Sequence, residues 1–197
     1  MSTIHSQNRK HATIFQVALT GMMAALVFVA TMFIKVDIPL PTGKTMLSLG
    51  NTMCVLSGLL LGPIYGGLAG GLGSFCYDLL DPVFISGAPI TFLFKFAIGF
   101  VCGLIAYAGR GKTEFVLTRN IVAAVCGAVA YMILYLGKSY FELIISGSAA
   151  QAALVAIVPK IAASSLNALA AVVIAVPLAL AVRKALQRAH LSQKLFG

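Results

Sequence analysis

Apolar residues in this chain fall into long, nearly unbroken runs instead of the alternating or amphipathic patterns of a soluble core. Six can be marked, at 14–34, 47–61, 64–81, 90–108, 119–141 and 152–182. About 20 mainly apolar residues carry a helix across the roughly 30 Å hydrocarbon layer of a bilayer, so the pattern predicts six transmembrane helices, the short second run being the least regular. Turn formers punctuate the sequence between them: Pro39 and Pro41, then Gly62-Pro63, then Asp81-Pro82 with Gly87 and Pro89, then the stretch from Gly109 to Glu114, then Ser146-Gly147-Ser148. The last run exceeds a perpendicular crossing at about 1.5 Å per residue, and tilt, a kink at Pro159 or Pro177, or emergence into the cytoplasm absorbs the excess. No connection is long enough for a separate domain. The expected fold is an all-α integral membrane protein, a single six-helix bundle over residues 1–197.

Composition sharpens this reading. The 197 residues are 60% hydrophobic and 10% charged, with mean hydropathy +0.99, whereas soluble domains carry about 25% charged residues. A net charge of +9 points to nucleic acid only if the basic residues are free of the membrane, and here they gather at helix ends. With both termini cytoplasmic, that side receives Arg9, Lys10, Arg110, Lys112, Arg119, Arg183, Lys184, Arg188 and Lys194, and the outer side Lys35, Lys44 and Lys138, in accord with the positive-inside rule. The bilayer, and no nucleic acid, is the partner this implies. The Ile14–Ile34 run is too long for a signal-peptide core and reads as a retained first helix. Cys54, Cys76, Cys102 and Cys126 stand singly in apolar segments and read as packing residues, with no metal site.

Several motifs favour their plainer reading. Gly109-Arg110-Gly111-Lys112-Thr113 evokes a phosphate-binding loop, but the glycine required five residues before Gly111 is Ala106, so it reads as a basic loop and any ATP hydrolysis falls to another subunit. Gly66, Gly67, Gly70 and Gly71 crowd the third helix at four-residue spacing, which lets neighbouring backbones approach closely. Ala18, Gly21 and Ala25 give the first helix a flat face for packing inside the bundle or for docking a partner helix. His5, His11 and His190 lie in terminal segments, so no catalytic or metal-binding constellation forms and no enzyme is expected. No cofactor is called for.

Polar groups inside the apolar runs are more informative, because a buried charge costs at least a few kcal/mol unless paired or wet. Asp78 lies near the outer end of the third helix and Lys95 about two turns into the fourth. They form either a structural ion pair or part of a cluster that contacts substrate. Lys160 follows Pro159, whose missing N–H frees a carbonyl, and no nearby span offers a spare carboxylate. Lys138 and Glu142, four residues apart, are placed to pair. Tyr131 and Tyr135 share the same stripe and offer stacking faces and hydroxyls suited to a flat heterocycle. Asn51 and Asn167 complete the set, Asn167 near mid-membrane and the rest in the outer half. This distribution describes a polar pocket open to the outside, with no polar trail continuing inward. A stand-alone secondary transporter would need acidic residues near mid-membrane or repeated broken helices, and a ligand-free scaffold subunit is the other alternative.

The motif Leu47-Ser-Leu-Gly-Asn51, Leu61-Gly-Pro-Ile-Tyr-Gly-Gly-Leu-Ala-Gly-Gly-Leu-Gly-Ser74, Asp78, Ala88-Pro-Ile-Thr91 and Lys95-Phe-Ala-Ile-Gly99 resembles the S components of energy-coupling factor (ECF) vitamin transporters. It is most similar to the branch for hydroxymethylpyrimidine, pyridoxine and queuosine precursors. The resemblance implies a protein of the prokaryotic plasma membrane that captures a water-soluble vitamin or precursor. Its pocket would be capped by the first loop, about Lys35–Met46, and by the loop after the third helix. It also implies docking through small first-helix residues, here Ala18, Gly21 and Ala25, onto a membrane-embedded coupling subunit, with two ATPase subunits powering release. Asn51, Asp78 and Lys95 are the motif positions carried over as substrate contacts; Tyr135, Lys138, Lys160 and Asn167 join them from the residue-level reading.

Overall fold

The computed structural model describes residues 2–40, 43–108, 116–147 and 149–188. The Gly109–Glu114 basic loop and His190 lie outside the described residues. Among the described residues there are six α-helices: α1 (Ser2–Phe33), α2 (Gly50–Leu61), α3 (Pro63–Leu80), α4 (Ala88–Tyr107), α5 (Leu117–Ile145) and α6 (Ala150–Arg188). Among the described residues, four stretches, Ile14–Phe33, Ile85–Tyr107, Leu117–Ile145 and Gln151–Arg188, are long and apolar enough to cross a membrane. Proline falls inside α6 at Pro159 and Pro177, yet the helix continues through both.

One element departs from the all-α expectation. The first connection is an antiparallel β-hairpin, β1 (Lys35–Leu40) with β2 (Gly43–Ser48), in a register that sets Lys35 opposite Ser48 and Asp37 opposite Met46. Consequently α2 begins at Gly50, not at 47. In β1 the alternation of Lys35 and Asp37 with Val36 and Ile38 has the period of a strand. The length of the apolar run that includes Leu47 and Leu49 hid it.

At 12 residues, α2 spans only about 18 Å at a rise of 1.5 Å per residue. It occupies the middle of the bundle, packed against α1, α3, α4 and α6, and ten of its residues are buried. Such a helix need not match the bilayer thickness, because other helices surround it. Around it α1 packs on α3, α3 on α4, α4 on α5 and α5 on α6. The core is built of small residues and branched aliphatics, among them Val27, Val55, Leu59, Ile98 and Ala175.

The glycines of α3 are used for close backbone approach, as small-residue spacing predicts. A β-carbon at Gly66 would lie 2.6 Å from the α2 backbone, and one at Gly71 would lie 3.1 Å from the Phe92 carbonyl of α4. From the α4 side, a β-carbon at Gly99 would meet the Gly66 carbonyl at 2.5 Å. These contacts draw α3 and α4 together, which brings Asp78 and Lys95 to one end of the bundle.

The opposite end of α2 is closed by a polar staple. Leu59 and Leu60 lie in its last turn, where helix carbonyls lack intrahelical partners. The Arg183 guanidinium donates to the Leu59 carbonyl at 2.8 Å and to the Tyr107 hydroxyl at 2.7 Å, and that hydroxyl lies 2.8 Å from the Leu60 carbonyl. Arg183, counted above among the cytoplasmic loop charges, is buried and ties α2, α4 and α6 together.

Candidate functional site

Where α3–α6 approach the hairpin, the bundle opens around a cavity of about 300 Å³. Strand β2 lines it with Thr45 and Met46, and the α3–α4 connection with Val83, Phe84, Ser86 and Gly87. The hairpin is clamped in place. The Lys35 ammonium donates to the Tyr77 hydroxyl at 2.6 Å, which donates in turn to the Asp81 carboxylate at 3.1 Å. Lys35 also lies 3.5 Å from Asp37 and 3.8 Å from Asp81. The hydrogen bond to Tyr77 holds the Lys35 ammonium above its ordinary pKa, so the clamp is a standing cation at neutral pH.

Six of the seven residues expected to contact substrate line this cavity: Asp78 from α3, Lys95 from α4, Tyr135 and Lys138 from α5, Lys160 and Asn167 from α6. Asn51 does not line it. It sits behind Lys95, whose ammonium donates to the Asn51 side-chain oxygen, and borders a separate void of about 10 Å³. Asp78 and Lys95 form no ion pair. Lys95 instead lies 4.6 Å from the centroid of the Tyr131 ring, a cation–π contact. Asp78 is 2% exposed, and one of its carboxylate oxygens has no hydrogen-bond partner among the described residues.

On the α5–α6 wall, Lys138 pairs with Glu142 at 3.2 Å, as the spacing predicts. The Lys160 ammonium donates to the Ser139 hydroxyl at 3.3 Å. Tyr131 and Tyr135 stack with centroids 5.7 Å apart and planes 11° apart, and the Tyr135 hydroxyl lies 3.2 Å from that of Thr45. Asn167 donates to the Met46 carbonyl at 2.9 Å and accepts from the Ser48 amide at 3.0 Å. It therefore fastens β2 to α6 as well as lining the cavity, and it belongs to the roofed end rather than to an isolated mid-membrane position.

The cavity is also lined by Tyr131, the expected stacking partner of Tyr135, and by Thr31, Ser139 and Ser164, which the sequence pattern does not single out. Tyr131 was legible from its spacing to Tyr135. The hydroxyls carried little signal, because Ser and Thr in apolar helices often bond their own backbone. Thr31 does so, donating to the Val27 carbonyl at 2.7 Å.

The first-helix face is resolved by burial. Ala18, Gly21 and Ala25 are all exposed, and a β-carbon at Gly21 would meet nothing within 4 Å. The alternative that this face packs inside the bundle is overturned.

A family model described as ECF-type riboflavin transporter, S component, matches residues 11–184. The chain belongs to that family. This S component is thus a membrane-embedded transport subunit of a vitamin-uptake system. The match does not reach the hydroxymethylpyrimidine, pyridoxine and queuosine-precursor branch that the sequence motif resembles. An archaeal relative from Pyrococcus woesei, described as an uncharacterized protein in gap 3'region, is 31% identical to the S component over 114 residues, covering 58% of this chain and 71% of that protein.

Proposed function

We propose that this S component captures a water-soluble vitamin or precursor from outside a prokaryotic cell and delivers it through an ATP-driven ECF transporter. In this reading residues 1–197 form one six-span unit with cytoplasmic termini, so that the hairpin faces outward. The observation that carries the proposal is the cavity at the hairpin end of the bundle, lined by Asp78, Lys95, Lys138 and Lys160. At about 300 Å³ it falls at the small end of the roughly 300–1,000 Å³ typical of small-molecule sites.

The stacked Tyr131–Tyr135 pair offers an aromatic face to a flat ring. Asp78, Lys95, Tyr135, Lys138, Lys160 and Asn167 supply polar contacts around it. Asn51 contributes by holding Lys95 in place. The exposed Ala18–Gly21–Ala25 face supports docking onto a membrane-embedded coupling subunit, and two ATPase subunits supply the energy.

Thermal stabilisation of the detergent-purified chain tests this. The panel contains riboflavin, after which the family is described, together with hydroxymethylpyrimidine, pyridoxine, queuosine precursors and other water-soluble vitamins. A ligand at 100 times its dissociation constant stabilises by about 2.7 kcal/mol, which raises the melting temperature measurably. Silence across the panel would shift the reading to a ligand-free scaffold subunit.

A further inference from the structure

The α5–α6 wall of the cavity holds an ammonium group with no close ion pair among the described residues. Lys160 is 9% exposed, and its one hydrogen bond is the 3.3 Å contact to Ser139. An ammonium has three donors, so two remain without a protein acceptor among the described residues. The acidic side chain nearest in kind, Glu142, is engaged by Lys138 on α5.

On the other side of the cavity, Asp78 and Lys95 stand on adjacent helices, and Lys95 has Asn51 and the Tyr131 face as partners. Lys95, Lys138 and Lys160 thus stand against Asp78 and Glu142, leaving one positive charge in excess among the ionisable side chains lining the cavity. Beside Lys160 are the hydroxyls of Ser139 and, one turn further along α6, Ser164, which also lines the cavity and is 5% exposed. A buried ammonium without acceptors is costly, and a cavity already offering two hydroxyls beside it is built to receive an oxyanion.

We propose that the ligand carries one oxyanion group, a carboxylate or a phosphate, seated on Lys160, Ser139 and Ser164 with its ring against Tyr131 and Tyr135. This rests on the reading of the chain as a vitamin-capturing subunit and narrows its substrate to an acid. Glu142 is held off the seat by Lys138, and Asp78 lies on the far wall, facing the opposite edge of the ligand.

The test uses matched pairs that differ in the charged group, measured by calorimetry and thermal stabilisation on the purified full-length chain. Nicotinate with nicotinamide and 4-pyridoxate with pyridoxine report a carboxylate; riboflavin 5′-phosphate with riboflavin reports a phosphate. The acid of at least one pair is expected to bind about tenfold or more tightly than its neutral partner, the worth of a charge-assisted hydrogen bond. Lys160→Met should erase that preference, and Lys160→Arg should retain it. If Lys160→Met fails to fold, Lys160→Gln provides the same neutralisation. Neutral members that bind as tightly as their acids in every pair that binds, or a preference that survives neutralisation of Lys160, overturn the inference and leave the capture function standing. Failure of every pair to bind, with a hit elsewhere in the wider vitamin panel on a neutral ligand, overturns the inference alone; silence across the pairs and the wider panel overturns both.

Discussion

Lys95 and Asn51 show how one buried residue acts through another. The sequence presents both as polar groups in apolar helices, and both fit a substrate contact. In the fold only Lys95 reaches the cavity; Asn51 is the acceptor that holds its ammonium. Removing that acceptor strands a buried cation, and hydrogen bonds to charged groups are worth about 1.5–3 kcal/mol. Asn51→Leu should therefore lower the stability of the ligand-free protein by about that amount, read from thermal unfolding in detergent. Asn51 makes no contact in the cavity itself, so the loss appears without any ligand present. An unchanged melting temperature would mean that Lys95 finds another partner.

Two elements decide the shape of the site: the α3–α4 pair and the hairpin. A β-carbon at Gly99 would collide with the Gly66 carbonyl, whereas one at Gly137 meets nothing within 4 Å. Overpacking typically costs about 1–3 kcal/mol. Gly99→Ala should destabilise on that scale while Gly137→Ala is neutral or slightly stabilising, a contrast that thermal melts of the two variants would check.

The hairpin is governed by the Lys35–Tyr77–Asp81 clamp. Tyr77→Phe removes the central hydroxyl and leaves Lys35 only its longer ion pairs, so ligand should dissociate several-fold faster with little change in association. Stopped-flow release measures this, and an unchanged release rate would show that the hairpin does not gate the cavity. Because the Lys35 pKa is raised in the fold, its contribution is fully present below the unfolded value near 10.4 and is lost only as pH rises through the higher folded value. The clamp should therefore show no pH dependence of this origin between pH 6 and about 9.

At the scale of the whole molecule, the cavity and the candidate docking face belong to different surfaces. The cavity is lined by β2, the α3–α4 connection and the helices around them, while Gly21 projects from the exposed side of α1. Gly21→Leu should consequently fold and bind ligand as the unsubstituted protein does, yet abolish uptake in cells that also produce the coupling and ATPase subunits. Parallel binding and uptake assays separate the two effects. Loss of binding in this variant would remove the argument that α1 serves docking.

What the sequence determined by itself was set by composition and short-range spacing. Apolar runs and rare internal charges specify membrane helices, because hydrocarbon penalises unpaired polar groups wherever they stand. Four-residue spacing places Lys138 beside Glu142 and Tyr131 beside Tyr135, because helix geometry alone makes those neighbours. The glycines of α3 announce close packing for a similarly local reason.

Only the tertiary structure decided which helices the glycines join, which side of α1 is left uncovered, and whether a buried polar residue faces the cavity or another side chain. Asn51, Asn167 and Arg183 have comparable sequence surroundings. They end as a brace for Lys95, a tie to the β2 backbone and a staple on the α2 carbonyls, because their partners lie 44, 119 and 124 residues away. Contacts across such separations depend on how the helices assemble, and no local pattern records them.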